Sequence, residues 1–193
     1  MPERPKPEIE LPPHATKVFA GEIFDVYQWE QERFDGTTAT FERLARPDSV
    51  VVIPITEEGK IIVLEEEQPG RPPFLAVPGG RVDPGEEPVD AARRELKEET
   101  GMDCRELAPW FATQVTSKLD WAIFCFIAHG CVPVEEAKGE PGEKLSQKAL
   151  TFEEFTRFVR DPRFHEKEVT LRVQEALLDD EKMRDLKELL RIS

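Results

Sequence analysis

The sequence predicts a layered fold of the α/β (α+β) class, with a mixed sheet and an N-terminal antiparallel strand meander. β-branched runs such as Ser49-Val-Val-Val-Ile-Pro-Ile55 and Lys60-Ile-Ile-Val-Leu64 precede one short acidic helix, and further strand-like segments follow it. After Thr151 the apolar spacing changes to that of helices.

Three divisions follow in chain order. Residues 1–15 form a proline-rich tail, expected to be poorly ordered. Residues 16–48 read as the meander: Lys17-Val-Phe-Ala, then Ile23 to Trp29, then a hairpin turning at Asp35-Gly36. It has too little core to stand alone and must pack on something else. Residues 49–193 hold the main body. Thr56-Glu-Glu-Gly59 joins its first two strands, and Phe74-Leu-Ala-Val77 leads into Pro78-Gly79-Gly80. Arg105–Ala112 and Trp121–Ala128 are two further strands, the second apolar on both faces and therefore central. Thr151-Phe-Glu-Glu154 is a capping box that opens a helix burying Phe152, Phe155, Phe158 and Val159. A second helix from about Lys167 buries Val169, Val173, Ala176 and Leu177, and Met183, Leu186 and Leu190 mark a third.

Bulk properties exclude several functions. With 193 residues, 39% hydrophobic and 34% charged, the chain can bury a full core as one domain. Its longest apolar runs are too short to span a bilayer, so no membrane association is expected. The opening Met1-Pro-Glu-Arg-Pro-Lys-Pro has no apolar stretch of the kind a signal peptide needs. Cys104, Cys125 and Cys131 are odd in number and lack metal-type spacing, which fits reduced, structural thiols and a cytoplasmic location. A net charge of -14 argues against a nucleic-acid partner, which needs a basic face.

The chemistry concentrates between Gly80 and Met102. Gly80, Glu86, Arg94, Glu95, Glu98, Glu99 and Gly101 define the pattern G-x5-E-x7-R-E-(apolar)-x-E-E-x-G-(apolar). Pro88 suits the first turn of a helix and Gly101 the position just past its end. Val89, Ala92 and Leu96 make the buried stripe, while Glu95, Glu98 and Glu99 share another face. Like charges at that spacing repel, and Glu98 and Glu99 also crowd the end of the helix where the macrodipole disfavours anions. A solvated acidic face is the competing reading of Glu-Leu-Lys-Glu-Glu alone. The glycines upstream decide against it, because Gly79-Gly80 lets backbone approach a metal or phosphate closely. Hard divalent cations would remove the repulsion, with Mg2+ the usual guest and Mn2+ the alternative. Arg94 can be paired by Glu86 or a helix carboxylate, fixing the loop against the helix.

This string resembles the Nudix box, the signature of hydrolases that split nucleoside diphosphates linked to another moiety. The resemblance implies an α/β/α sandwich, with Glu95, Glu98, Glu99 and the Gly79 carbonyl as metal ligands. It implies attack of a metal-activated water on a pyrophosphate phosphorus. Beyond the box, residues 16–160 look like the ADP-ribose pyrophosphatase branch, whose meander packs across a homodimer. That branch suggests a small nucleoside diphosphate substrate, ADP-ribose or a nucleotide sugar. Triphosphate hydrolysis, another diphosphate compound and a non-catalytic nucleotide sensor are the rivals; the long meander and the complete carboxylate set speak against the first and last.

Relatives place ribose- or phosphate-binding groups near Arg46, Gln68 and Arg71, for which a solvated surface side chain is the competing reading. Trp29 and Phe41 could stack on a base or simply fill the core. A glutamate in a flexible loop after the box serves such relatives as general base. Here the loop from Val134 to Lys144 offers Glu143 first and Glu140 second. Many ADP-ribose hydrolases carry a proline past the box where this chain has Gln114-Val-Thr-Ser-Lys-Leu-Asp120, and Lys118 is the candidate contact in its place.

Overall fold

The computed structural model describes residues 3–139 and 142–192. Its strands are β1 (Thr16–Ala20), β2 (Asp25–Glu32), β3 (Thr38–Ala45), β4 (Ser49–Thr56), β5 (Ile61–Glu67), β6 (Phe74–Ala76) and β7 (Gly79–Arg81), followed by helix α1 (Pro88–Thr100). Then come β8 (Met102–Asp103), β9 (Glu106–Thr116), β10 (Leu119–Pro133) and β11 (Lys144–Leu150). Helices α2 (Phe152–Phe158), α3 (Lys167–Leu177) and α4 (Asp180–Leu190) complete the chain.

Strand β10 is the spine. One edge pairs antiparallel with β9. The other pairs in parallel first with β3, at Leu119 and Asp120, and then with β4 from Ile123 to Cys131. The meander therefore finds its support by extending the main sheet: β1, β2 and β3 continue into β10, β4, β5 and β11. Its hairpin turns where expected. Gly36 has φ 80°, and Asp35 Oδ1 accepts from the Thr37 N–H at 3.0 Å.

Alternation along the central strands divides the core between two layers. Val51, Ile53, Ile123, Cys125 and Ile127 pack with Phe152, Phe155, Val169, Val173, Leu186 and Leu190 of α2, α3 and α4. Val50, Val52, Phe124 and Phe126 face Ala91, Ala92 and Leu96 of α1 on the other side. This is the α/β/α sandwich with a mixed sheet. The capping box is complete, with Thr151 accepting from the Glu154 N–H and Glu154 reaching back to the Thr151 N–H.

Several boundaries differ from the sequence reading. Gly79-Gly80 is not a free loop: β7 pairs with β4, Gly80 opposite Val50 and Gly79 opposite Val51. Two glycines carry too little strand propensity to announce a strand. Strand β11 was hidden because Lys144-Leu-Ser-Gln-Lys-Ala-Leu150 lies at the sheet edge and is mostly exposed. The N-terminal segment 3–15 has no helix or strand, but Arg4 bridges Asp48 (2.7 Å) and Asp120 (2.8 Å), and the Pro5 carbonyl accepts from Gln114. All three cysteines are buried and free, and burial pushes the Cys131 thiol up to about 12. Among the described residues no helix is long and apolar enough to cross a membrane.

Candidate active site

Helix α1 starts after Glu87 with Pro88 in its first turn and ends on Gly101, whose φ of 67° is left-handed. A Cβ at Gly101 would run into the Glu135 carbonyl, so glycine is needed there for space as well as for φ. Orphan carbonyls at this end are used to tie down the segment after β10. The Val134 and Glu135 N–H groups donate to the Gly101 carbonyl, and those of Lys138 and Gly139 donate to Glu98. Gln147 of β11 donates to the Thr100 carbonyl at 3.0 Å.

Arg94 is the knot between loop and helix. Its guanidinium binds both oxygens of Glu86 at 3.0 Å, Glu95 at 2.7 Å, Glu98 at 3.1 Å and the Arg81 carbonyl at 2.9 Å. The Arg94 partner holds the Glu86 carboxyl below its usual range.

The three box carboxylates differ in environment. The Glu98 side chain is 51% exposed, whereas that of Glu95 is 12% exposed. Glu99 lies inside, accepting the Gly79 N–H at 3.1 Å. Burial pushes its carboxyl up to about 9, against the pull of that hydrogen bond and with help from Glu95, Glu66 and Glu143. Glu95, Glu66 and Glu143 are thus near enough to act on Glu99, which itself touches Gly79. A Cβ at Gly80 would fall 2.5 Å from Glu95 Cδ, so glycine lets the strand pass this carboxylate without displacing it. Carboxylate oxygens gathered against a bare backbone cradle fit a hard divalent cation.

Glu66 was missed by the sequence reading. It stands second in the run Glu65-Glu66-Glu67, and strand alternation turns it inward to 6% exposure. Its neighbours face out and pair with β11, Glu65 with Lys148 (2.8 Å) and Glu67 with Lys144 (3.1 Å). The missed signal was strand parity, which puts Glu66 on the same buried face as Ile62 and Leu64.

Gln68 and Glu143 join this cluster: Gln68 Nε2 donates to Glu66 at 2.5 Å and to Glu143 at 2.8 Å. Arg71 lies behind, 3.5 Å over the Phe74 ring. Glu140 falls outside the described residues. Arg46 has other company than this cluster. Its guanidinium stacks 4.3 Å over Trp121, donates to Ser49 Oγ at 3.5 Å, and leaves Nε buried without a partner. Burial, and then Arg81, which lies opposite Ser49 in β7, press its pKa down. Two arginines gathered this way favour an anion. Trp29 and Phe41 oppose each other in β2 and β3 with centroids 6.1 Å apart. Trp29 is buried, its indole N–H donating to Gln31. Lys118 is exposed in the β9–β10 turn, its carbonyl accepting from Leu44.

A sheet layered between helices, with a glycine cradle against a helix bearing three carboxylates, defines a Nudix pyrophosphohydrolase. A model of the NUDIX domain matches residues 45–181, and the chain belongs to the Nudix family. It is 30% identical over 162 residues to a methanol dehydrogenase activator of Bacillus methanolicus, covering 82% of this chain and 87% of that protein. It is 26% identical to an ADP-ribose pyrophosphatase of Bacillus subtilis (strain 168), again over 82% of this chain and 87% of the relative. Against the ADP compounds hydrolase NudE of Escherichia coli (strain K12) the identity is 29%, covering 75% and 78%. A crystal structure of an ADP compounds hydrolase shares the fold with a TM-score of 0.69 at 24% identity, covering 92% of this chain and 96% of that one.

Proposed function

We propose that the protein is a Mg2+-dependent hydrolase of an ADP-linked diphosphate, ADP-ribose or a nucleotide sugar, releasing AMP and the second phosphorylated moiety. The observation that carries this reading is the seating of box carboxylates on the Gly79–Gly80 cradle: Glu99 accepts the Gly79 N–H and Glu95 lies against Gly80. Relatives named for ADP-ribose and ADP compounds support the substrate class.

Glu95, Glu98, Glu99 and the Gly79 carbonyl would hold Mg2+, or Mn2+ in its place, which supplies charge neutralisation for the diphosphate and a lowered pKa for its water. Glu143 takes the proton from the attacking water. Arg94, locked to Glu86 and the Arg81 carbonyl, keeps Glu95 and Glu98 in position. Arg46, with Arg81 beside it, binds a phosphate, and its orphaned Nε supports that role.

The test is hydrolysis of ADP-ribose, nucleotide sugars, dinucleotides and nucleoside triphosphates with Mg2+ and product identification. Glu98→Gln is expected to lower kcat about 100-fold or more (~3 kcal/mol). It should leave the circular dichroism spectrum unchanged, because the buried Ala91, Ala92 and Leu96 stripe is untouched. Wild-type turnover by that variant would end the ligand assignment.

A homodimer is part of the same reading. The meander exposes Val18, Phe19, Ile23, Phe24, Phe41 and Leu44, an apolar group suited to a second copy of the chain. Light scattering at micromolar concentration should return twice the 22.1 kDa chain mass. A monomer mass would count against it.

A further inference from the structure

We propose that Gln68 is a positioning residue that latches Glu143 over the carboxylate cluster; this rests on the proposed role of Glu143. Glu143 immediately precedes β11, and the antiparallel ladder of β11 with β5 begins at Lys144 opposite Glu67. One step beyond that pair, Gln68 faces Glu143 across the end of the sheet. The two are 75 residues apart in sequence, so only the pairing of β11 brings them together.

The amide is suited to this task. Its NH2 carries two hydrogens, so one nitrogen can donate to Glu66 (2.5 Å) and Glu143 (2.8 Å) at once. It bridges two carboxylates without adding the positive charge that would draw them out of the site. Its carbonyl end is turned away towards Arg71 NH1 at 3.5 Å, and Arg71 is held on the Phe74 ring. That arrangement selects which end of the amide meets the carboxylates. On its other side the connection is anchored by the bonds of 134–139 to the end of α1. Gln68 fixes the glutamate that lies between that anchor and β11.

The experiment compares Gln68→Leu, Glu143→Gln and the double variant on ADP-ribose with Mg2+, together with hydrogen–deuterium exchange over 142–150. Gln68→Leu is expected to lower kcat by about 10- to 100-fold, the cost of a misplaced catalytic group. Its KM should stay within about twofold. On the Glu143→Gln background the same change should add less than about twofold, because the latch has nothing left to hold. Exchange over 142–150 should quicken in Gln68→Leu. A raised KM with unchanged kcat would make Gln68 a substrate contact and overturn the proposal, as would independent, multiplicative losses. Wild-type turnover by Glu143→Gln would instead remove Glu143 from the reaction. The latch would then be decided by exchange, unchanged rates overturning it.

Discussion

Glu99→Gln is expected to lower kcat about 1000-fold (~4 kcal/mol) while making the metal-free protein more stable. Both effects come from one environment. Burial, with Glu95, Glu66 and Glu143 adding to it, raises this carboxyl to about 9. The folded state therefore keeps a proton that the unfolded chain releases above its ordinary value of 4.5. Stability of the metal-free wild type should be fullest below that value and fall as pH rises towards 9. Glutamine removes this slope, and each ~1 kcal/mol recovered raises Tm by about 2–4 °C. Thermal melts at pH 5 and pH 8, with and without Mg2+, test the pair of claims. Wild type should gain more from Mg2+ than the variant, since binding to the folded state adds stability. A variant that melts lower at pH 8 without metal would contradict the strained-carboxylate account.

Gly80→Ala is the second large effect, and its neighbour Gly79→Ala should fail for a different reason. The new Cβ at Gly80 meets the far end of the Glu95 side chain, 2.5 Å from Cδ and 2.7 Å from Oε2. A carboxylate can swing away, so the fold survives. Displacing the carboxylate proposed as a metal ligand should cost about 100-fold in kcat. At Gly79 the Cβ meets the Val50 carbonyl and lies 3.2 Å from Val51 Cα, both backbone of β4. A strand cannot yield as a side chain does, and ~1–3 kcal/mol of stability should be lost. Urea unfolding beside steady-state kinetics separates them: Gly80→Ala folded and slow, Gly79→Ala destabilised. Equal unfolding midpoints for the two variants would overturn the distinction.

How far the sequence carries depends on the range of the interaction. The ends of α1 were legible because Pro88 and Gly101 act on the chain beside them. The knot at Arg94 was legible too, since Glu86, Glu95 and Glu98 lie within eight residues of it. Gln68 was singled out, but its company of Glu66 and Glu143 was not. Arg46 was singled out without Trp121, Ser49 or Arg81. Glu143, Trp121 and Arg81 arrive through strand pairings, and residue types do not state registers. Strand β11 itself escaped because an exposed edge strand needs no apolar alternation.

The sequence by itself determined the carboxylate face, the buried stripe and the stop of α1, because 3.6-residue periodicity and helix ends are local properties. It also determined that the central strands would be covered on both faces, since their apolar runs leave no wet side. Tertiary structure alone decided that β11 sets Glu143 opposite Gln68. It also decided that the meander continues the main sheet through β10. Those are consequences of which distant strand edges hydrogen-bond and in which register. That choice is made by the whole core at once, as it buries the apolar faces of β4 and β10 between two layers of helices.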